Sequence, residues 1–318
     1  MKEKKFIISC PVVYDSGYFF AGLCRCYRSV TRKNLITLKR ITGIVLLLAA
    51  PFVSKSQDWH IGGTAGISNY NGDLTEKRVD FTTTGPMIGL LVKRDVNRWL
   101  TLRGGFTFGL IKADDKNNSE ASLKARNLSF RSPIWEGHLG AELNILDIDD
   151  RGFTPYVFGG VALFSFYPTA KDSSGARVPL RRLSTEGQGL PQYPERGGQY
   201  ALHQISIPFG VGFKYLLTDR FTIGFELGLR PTFTDYLDDV STTYVDYNTL
   251  LAERGQTAVD WAWRGDEVHG GSYPLDGAKR GSAKYKDWYT FTGITFLYRL
   301  GGSSGGHRST NFSKCFRM

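Results

Sequence analysis

The sequence predicts an all-β chain: one eight-stranded antiparallel transmembrane β-barrel over residues 57–300. Three observations carry this. Apolar residues recur at every second position, the alternating runs are long, and short and long connections between them alternate.

The alternation is plain in RFTIGFELGLRPTFTDY. Phe221, Ile223, Phe225, Leu227, Leu229 and Phe233 share one face, and Thr222, Gly224, Glu226, Gly228 and Arg230 share the other. ISIPFGVGFKYLL, WEGHLGAELNIL and LTLRGGFTFGL repeat the design. A period of two is that of a strand. Soluble sandwiches alternate too, but their strands run to about 5–6 residues. A tilted strand crossing a bilayer needs about 9–11, which these runs reach. Their polar face combines Gly with charge and their apolar face is aromatic-rich, as in a barrel with lipid outside and a polar interior.

Eight strands are expected near 58–68, 85–94, 99–112, 127–146, 153–168, 200–217, 220–237 and 286–300. DVN, DIDDRG and TD make three short connections. The other four, near 69–84, 113–126, 169–199 and 238–285, are long and polar. Tight periplasmic turns and long outer loops alternate in this way in outer-membrane barrels. The phase puts both termini in the periplasm. The fifth strand, TPYVFGGVALFSFY, is apolar on both faces, so its register stays open. Trp99, Tyr215 and Tyr298 fall near the turn side, and Trp135, Tyr167, Tyr236 and Trp288 near the loop side, as interfacial belts would.

Upstream of the strands, LKRITGIVLLLAAPFVSKSQ has the parts of a secretory signal. Lys39 and Arg40 precede an apolar run, Ile41–Phe52, and Ser54-Lys55-Ser56 precedes Gln57. Twelve residues are too few to span the bilayer and suit a signal h-region. Four segments are therefore expected. Residues 1–37 are a start site set too far upstream or a disordered extension, and 38–56 are the signal peptide. The barrel is 57–300, and 301–318 are a flexible Gly/Ser and basic tail.

The net charge of +10 does not indicate nucleic acid, because it lies outside the body. Residues 1–56 carry +8 and 302–318 carry +3, whereas 57–301 carry −1. Cys10, Cys24, Cys26 and Cys315 also lie outside the body, which leaves it without a disulfide framework or thiol chemistry.

On this register Lys93, Arg103, Glu136, His138, Glu142, Lys214, Glu226, Arg230 and Arg299 point inward. Eight strands leave an interior just wide enough to be filled by side chains, and buried charges there must pair. A salt-bridged plug is the first reading, and an ion path or catalytic site the second. Glu136 and His138 face the same way and could form an acid/base pair. Ser129 and Ser132 are nucleophile candidates by proximity alone. The acidic strings at 147–150 and 235–239 lack the Gly and terminal Glu of a calcium loop, so solvated turn acids are expected. No phosphate-binding loop, dinucleotide fingerprint or zinc spacing is present. No cofactor, metal or small-molecule substrate is expected.

Several stretches, in order along the chain, resemble a Bacteroidota family of small outer-membrane barrels. These are GGTAGISNYNGDL, FTPYVFGGVALFSFYP, LSTEGQGLPQY, HQISIPFGVGFKYLLTDRFTIGFELGLRPTFTDYLDDVSTTYVD and DWYTFTGITFLYRL. The family is a domain of unknown function that includes PorG-like components of the type IX secretion system. The resemblance covers about 57–300. It implies a non-enzymatic outer-membrane subunit that contacts periplasmic ring proteins and carries no catalytic residues. A typical member starts with its signal peptide and stops near its last strand, whereas this chain continues beyond both. The expected partners are outer-membrane lipid and the ring proteins. The expected partner face is the charged turns: Asp95, Arg98, Asp147, Asp149, Asp150, Arg151, Asp219 and Arg220. The alternatives are a passive or adhesin-like barrel binding through its outer loops, and a lipid-modifying enzyme.

Overall fold

The computed structural model describes residues 58–75, 83–172 and 174–300. The signal segment 38–56, residues 1–37 and the tail 301–318 lie outside the described residues. Eight antiparallel staves close into a barrel. They are β1 (Trp59–Asn71), β2 (Gly85–Asp95), β3 (Leu100–Asp114), β4 (Ser129–Asn144), β5 (Phe153–Phe166), an interrupted sixth stave, β10 (Phe221–Pro231) and β11 (Trp288–Arg299). Closure is made by β1 against β11, in register from His60↔Arg299 to Asn71↔Trp288. All neighbouring staves pair in chain order, so the barrel is an up-and-down meander.

The sixth stave corrects the expectation of one strand over 200–217. It is broken into β8 (His203–Ser206) and β9 (Phe209–Leu216) at Pro208, which has no N–H to donate. Register is kept across the break, since Gly159 faces Phe209 and Ala162 faces Ser206. Gly160 N–H donates to the Pro208 carbonyl at 2.9 Å. The seventh stave is also shorter than expected and ends at Pro231 rather than near 237. Beyond it Thr232 N–H bonds the Asp287 carbonyl, and Leu237 N–H bonds the Asp287 carboxylate at 2.9 Å, which turns the chain inward over the barrel mouth.

Side chains alternate between lipid and lumen on every stave. Leu90, Leu139 and Leu163 point outward and are about 70% exposed, at 70%, 70% and 69%. An apolar belt this continuous is stable only against hydrocarbon. The fifth strand now has a register: Thr154, Tyr156, Phe158, Ala162, Phe164 and Phe166 turn inward, and Val157, Val161 and Leu163 turn out.

The interior is not polar throughout, which corrects the sequence reading. Its turn-side half holds the charges. Its loop-side half is an apolar plug of Tyr70, Met87, Ile111, Ile134, Phe164, Tyr289 and Phe291, continuous with Leu74, Leu180, Leu237 and Trp261 from the connections. The long connections are therefore a folded cap. A β6–β7 hairpin (Thr169–Lys171, Arg177–Pro179) extends the sheet beyond β4, and helices Tyr247–Arg254 and Gln256–Ala262 enclose a second core around Val245, Leu250 and Val259. Two buried arginines hold the cap. Arg126 donates to both Asp115 oxygens at 2.8 Å, and Arg280 donates to Glu186 at 2.9 Å and to the Asp239 carbonyl at 2.7 Å.

Gly140 and Gly160 face each other across β4 and β5. A Cβ at Gly160 would sit 2.2 Å from the Leu139 carbonyl oxygen, so only glycine permits this approach. Gly160→Val is expected to abolish the fast-migrating folded form on unboiled gels. Gly159→Ala, whose added carbon would meet nothing nearer than 4.0 Å, is expected to keep it.

Candidate functional site

The lumen charges come from staves that are distant in sequence. Glu142 on β4 sits at the centre, with Lys214 at 2.5 Å, Arg103 at 3.2 Å, and Lys93 also in contact. Arg103 also forks onto Glu226, with both bonds 2.9 Å, and the Tyr156 hydroxyl donates to Glu226 at 2.9 Å. Glu136 accepts from Arg230 at 3.2 Å and from the Tyr289 hydroxyl at 2.7 Å, with His138 Nδ1 3.3 Å away. The cations lie over rings as well, with Arg103 4.3 Å from Phe158 and Lys214 4.6 Å from Tyr156. Four cations thus face three carboxylates in a low-dielectric space. Such an arrangement holds only when each charge has partners.

Arg299 does not join this network. It lies at the turn-side mouth, where Asp149 (2.8 Å) and Asp58 (3.7 Å) are its partners. Glu136 and His138 do touch, but neither serine candidate reaches them. Ser132 is tied to backbone, accepting from Tyr167 N–H at 2.8 Å. It lies six residues from His138 along one strand, roughly 20 Å away, and Ser129 lies farther. Tyr156 and Tyr289 complete the network but were not among the sequence candidates. Tyr156 sits on the strand whose register was open, and a hydroxyl on an aromatic ring reads as belt or core.

At the turn end the lumen opens into a vestibule of about 150 Å3. Asp95, Arg98, Asp147 and Asp149 line it together with Asp58, His60 and Arg299. Asp95 is the least free of these, bonded to His60 at 2.8 Å and to the Thr101 hydroxyl at 2.6 Å. His60 has no partner in the linear sequence, and its inward parity at the start of β1 is the one signal that could have placed it. Asp147 caps the short helix Ile148–Arg151 through Asp149 N–H. Arg98 lies over Trp99, and Arg220 bonds the Tyr298 hydroxyl at 3.3 Å. Asp150, Arg151 and Asp219 are exposed beside them.

The acidic string 235–239 corrects another expectation, because its acids are buried rather than solvated. Asp235, Asp238 and Asp239 are at most 2% exposed. The Tyr70 hydroxyl is shared between Asp238 (2.6 Å) and Asp287 (3.2 Å). Asp239 accepts from Thr185 and from Tyr200, and Asp235 from Ser241. Burial pushes Asp235 up to about 7 and Asp239 to about 6. Burial and the facing Asp238 raise Asp287 well above the carboxylate range. No cluster of three or more His, Cys, Asp or Glu with metal-holding geometry occurs among the described residues.

Two measurements check these arrangements. Glu142→Gln leaves buried Lys93 without its carboxylate and takes one partner each from Arg103 and Lys214, and is expected to cost about 3–5 kcal/mol in urea unfolding from detergent, with Glu142→Gln/Lys93→Met recovering part of the loss. In the cap, folded carboxyl pKa values above the unfolded value near 3.8 mean that the folded state holds protons more tightly. Cap stability is therefore full below about pH 4 and falls as pH rises towards 7. Hydrogen exchange in 232–287, corrected for intrinsic rates, is expected to show more opening at pH 8 than at pH 5. Asp235→Asn should flatten that slope.

A family model described as a domain of unknown function (DUF6089) matches residues 39–174. No curated protein matches the chain. Among solved structures the chain is similar to Neisserial surface protein A, at 7% identity and TM-score 0.38, covering 76% of this chain and 96% of that one. It is also similar to Ail, the attachment invasion locus protein of Yersinia pestis, at 11% identity and TM-score 0.34, covering 77% and 97%. A major outer membrane protein from Thermus thermophilus has 14% identity and TM-score 0.36, covering 77% and 100%. The eight-stranded closed antiparallel barrel itself rests on the strand register of this chain.

Proposed function

We propose that this protein is a non-conducting outer-membrane barrel that anchors partner proteins through its turn end. The observation that carries the reading is the closed lumen. Between the charge network and the apolar plug the free space is about 10 Å3, room for a single water and far too little for a continuous passage. A barrel closed at two levels works through its two ends rather than its interior. The outward apolar belt supports residence in an outer membrane, with the short turns in the periplasm and the cap outside.

The turn end carries the anchoring role. Its exposed charges add little to stability but can steer and select a partner. Together with the resemblance to PorG-like barrels, this favours periplasmic ring proteins of a type IX secretion system as the partners. The second reading is adhesin-like binding by the cap, favoured by Leu275 and Tyr285, which stand 83% and 68% exposed on it.

Asp149→Lys, Asp150→Lys and Arg151→Glu together are expected to keep the folded, heat-modifiable barrel, abolish co-purification of the ring proteins and stop cargo export. Retained co-purification and export would sink the anchoring role. If Leu275→Asp/Tyr285→Asp abolished both instead, the cap would be the working face.

A further inference from the structure

Above the apolar belt, at the loop end, the outer face of the sheet turns basic. Lys112 on β3 is the next outward residue after Leu110, and Arg131 on β4 stands directly opposite Lys112 in the register. The β6–β7 hairpin extends this face. Thr169 pairs with Arg131, and Lys171 pairs with Arg177. The Thr169 hydroxyl donates to the Arg131 carbonyl at 2.9 Å and accepts from Arg177 at 3.4 Å, which draws the two arginines together. These four cations line one cavity of about 450 Å3, with Lys116 and Arg264 at its edge.

Two cross-strand pairs of like charge, Lys112/Arg131 and Lys171/Arg177, are unfavourable in a sheet. Among the described residues, none of the four has a carboxylate at ion-pair distance. The nearby acids are otherwise engaged. Asp114 caps the turn at Lys116 N–H (3.0 Å), Asp172 holds Ser174 and Ala176, and Glu267 pairs with Arg264. Asp114 and Asp172 line the cavity as well, so among the described residues six cations face two carboxylates there and positive charge is in excess.

Depth identifies the ligand. Arg131 lies four residues above Trp135, and Trp135 packs with Phe106 and Phe108 at the top of the apolar belt. Four residues of tilted strand raise Arg131 about 10 Å, into the headgroup zone. Beneath the cavity, Phe106, Phe108 and Trp135 border an outward groove of about 470 Å3 that is almost wholly apolar. Basic cavity above and apolar groove below match an amphiphile with an anionic head and acyl chains. Arg and Lys together suit phosphate, which takes bidentate and point-charge contacts.

We propose that this face is a binding site for a phosphorylated lipid of the leaflet at the cap end, its phosphate between Arg131, Arg177, Lys112 and Lys171 and its chains in the groove. The proposal rests on the outer-membrane orientation proposed above, but not on any secretion partner.

The test uses the purified full chain in detergent, titrated by native mass spectrometry with diphosphorylated lipid A, with the same lipid dephosphorylated, and with inorganic pyrophosphate. Wild type is expected to prefer the diphosphorylated lipid at least tenfold over either comparator. Arg131→Ser/Arg177→Ser is expected to lose that preference while remaining heat-modifiable and melting no lower than wild type without lipid. Equal binding of phosphorylated and dephosphorylated lipid by wild type overturns the proposal, and that measurement needs no variant. Undiminished preference in the double variant overturns it too. Pyrophosphate bound as tightly as the lipid would reassign the site to a soluble phosphate and overturn the lipid. Absence of heat-modifiable migration in wild type would instead mark failure of the membrane reading.

Discussion

A chain that crosses hydrocarbon as strands must leave no backbone N–H or C=O without a partner, and the pairing of β1 with β11 is where this chain meets that demand. Every other feature depends on closure. It fixes which residues face lipid, it fixes an interior only wide enough for side chains, and it puts residues more than a hundred positions apart within bonding distance. The close approach of β4 to β5 at Gly140 and Gly160 belongs to the same constraint, because a single methyl group there would collide with the facing carbonyl.

Closure creates an interior with two solutions stacked along the axis. Towards the turns, Glu142, Glu226 and Glu136 are each held by several donors, so charge is tolerated because it is shared. Towards the loops the same inward positions are filled by Tyr70, Ile111, Ile134 and Phe291. Side chains fill the lumen in two ways, by ion pairing below and by apolar packing above.

The two ends differ in kind. The turn end is a shallow charged vestibule built from tight connections, with Asp95 drawn inward by His60 and Asp149 paired to Arg299. The cap end is a small folded layer with its own core, stapled by Arg126 and Arg280 to carboxylates and carbonyls from several loops. Its aspartates are buried with hydroxyl partners rather than solvated. Its outer flank carries cations at the height of lipid headgroups.

The sequence by itself determined the strand faces and the alternation of short and long connections, because a period of two residues and turn chemistry are local properties. From them the eight staves and the inward set from Lys93 to Arg230 could be read. Tertiary structure alone decided who partners whom. Arg103 meets Glu226 across 123 residues, and His60 meets Asp95, because those contacts depend on barrel diameter and stagger. The register of 153–166 needed its neighbours, since a strand apolar on both faces has no local preference. The burial of Asp235, Asp238 and Asp239 also lay beyond the sequence. Acids in a long polar connection are solvated unless the connection folds, and this one folds because a plug of apolar side chains at the barrel mouth gives it a surface to pack on.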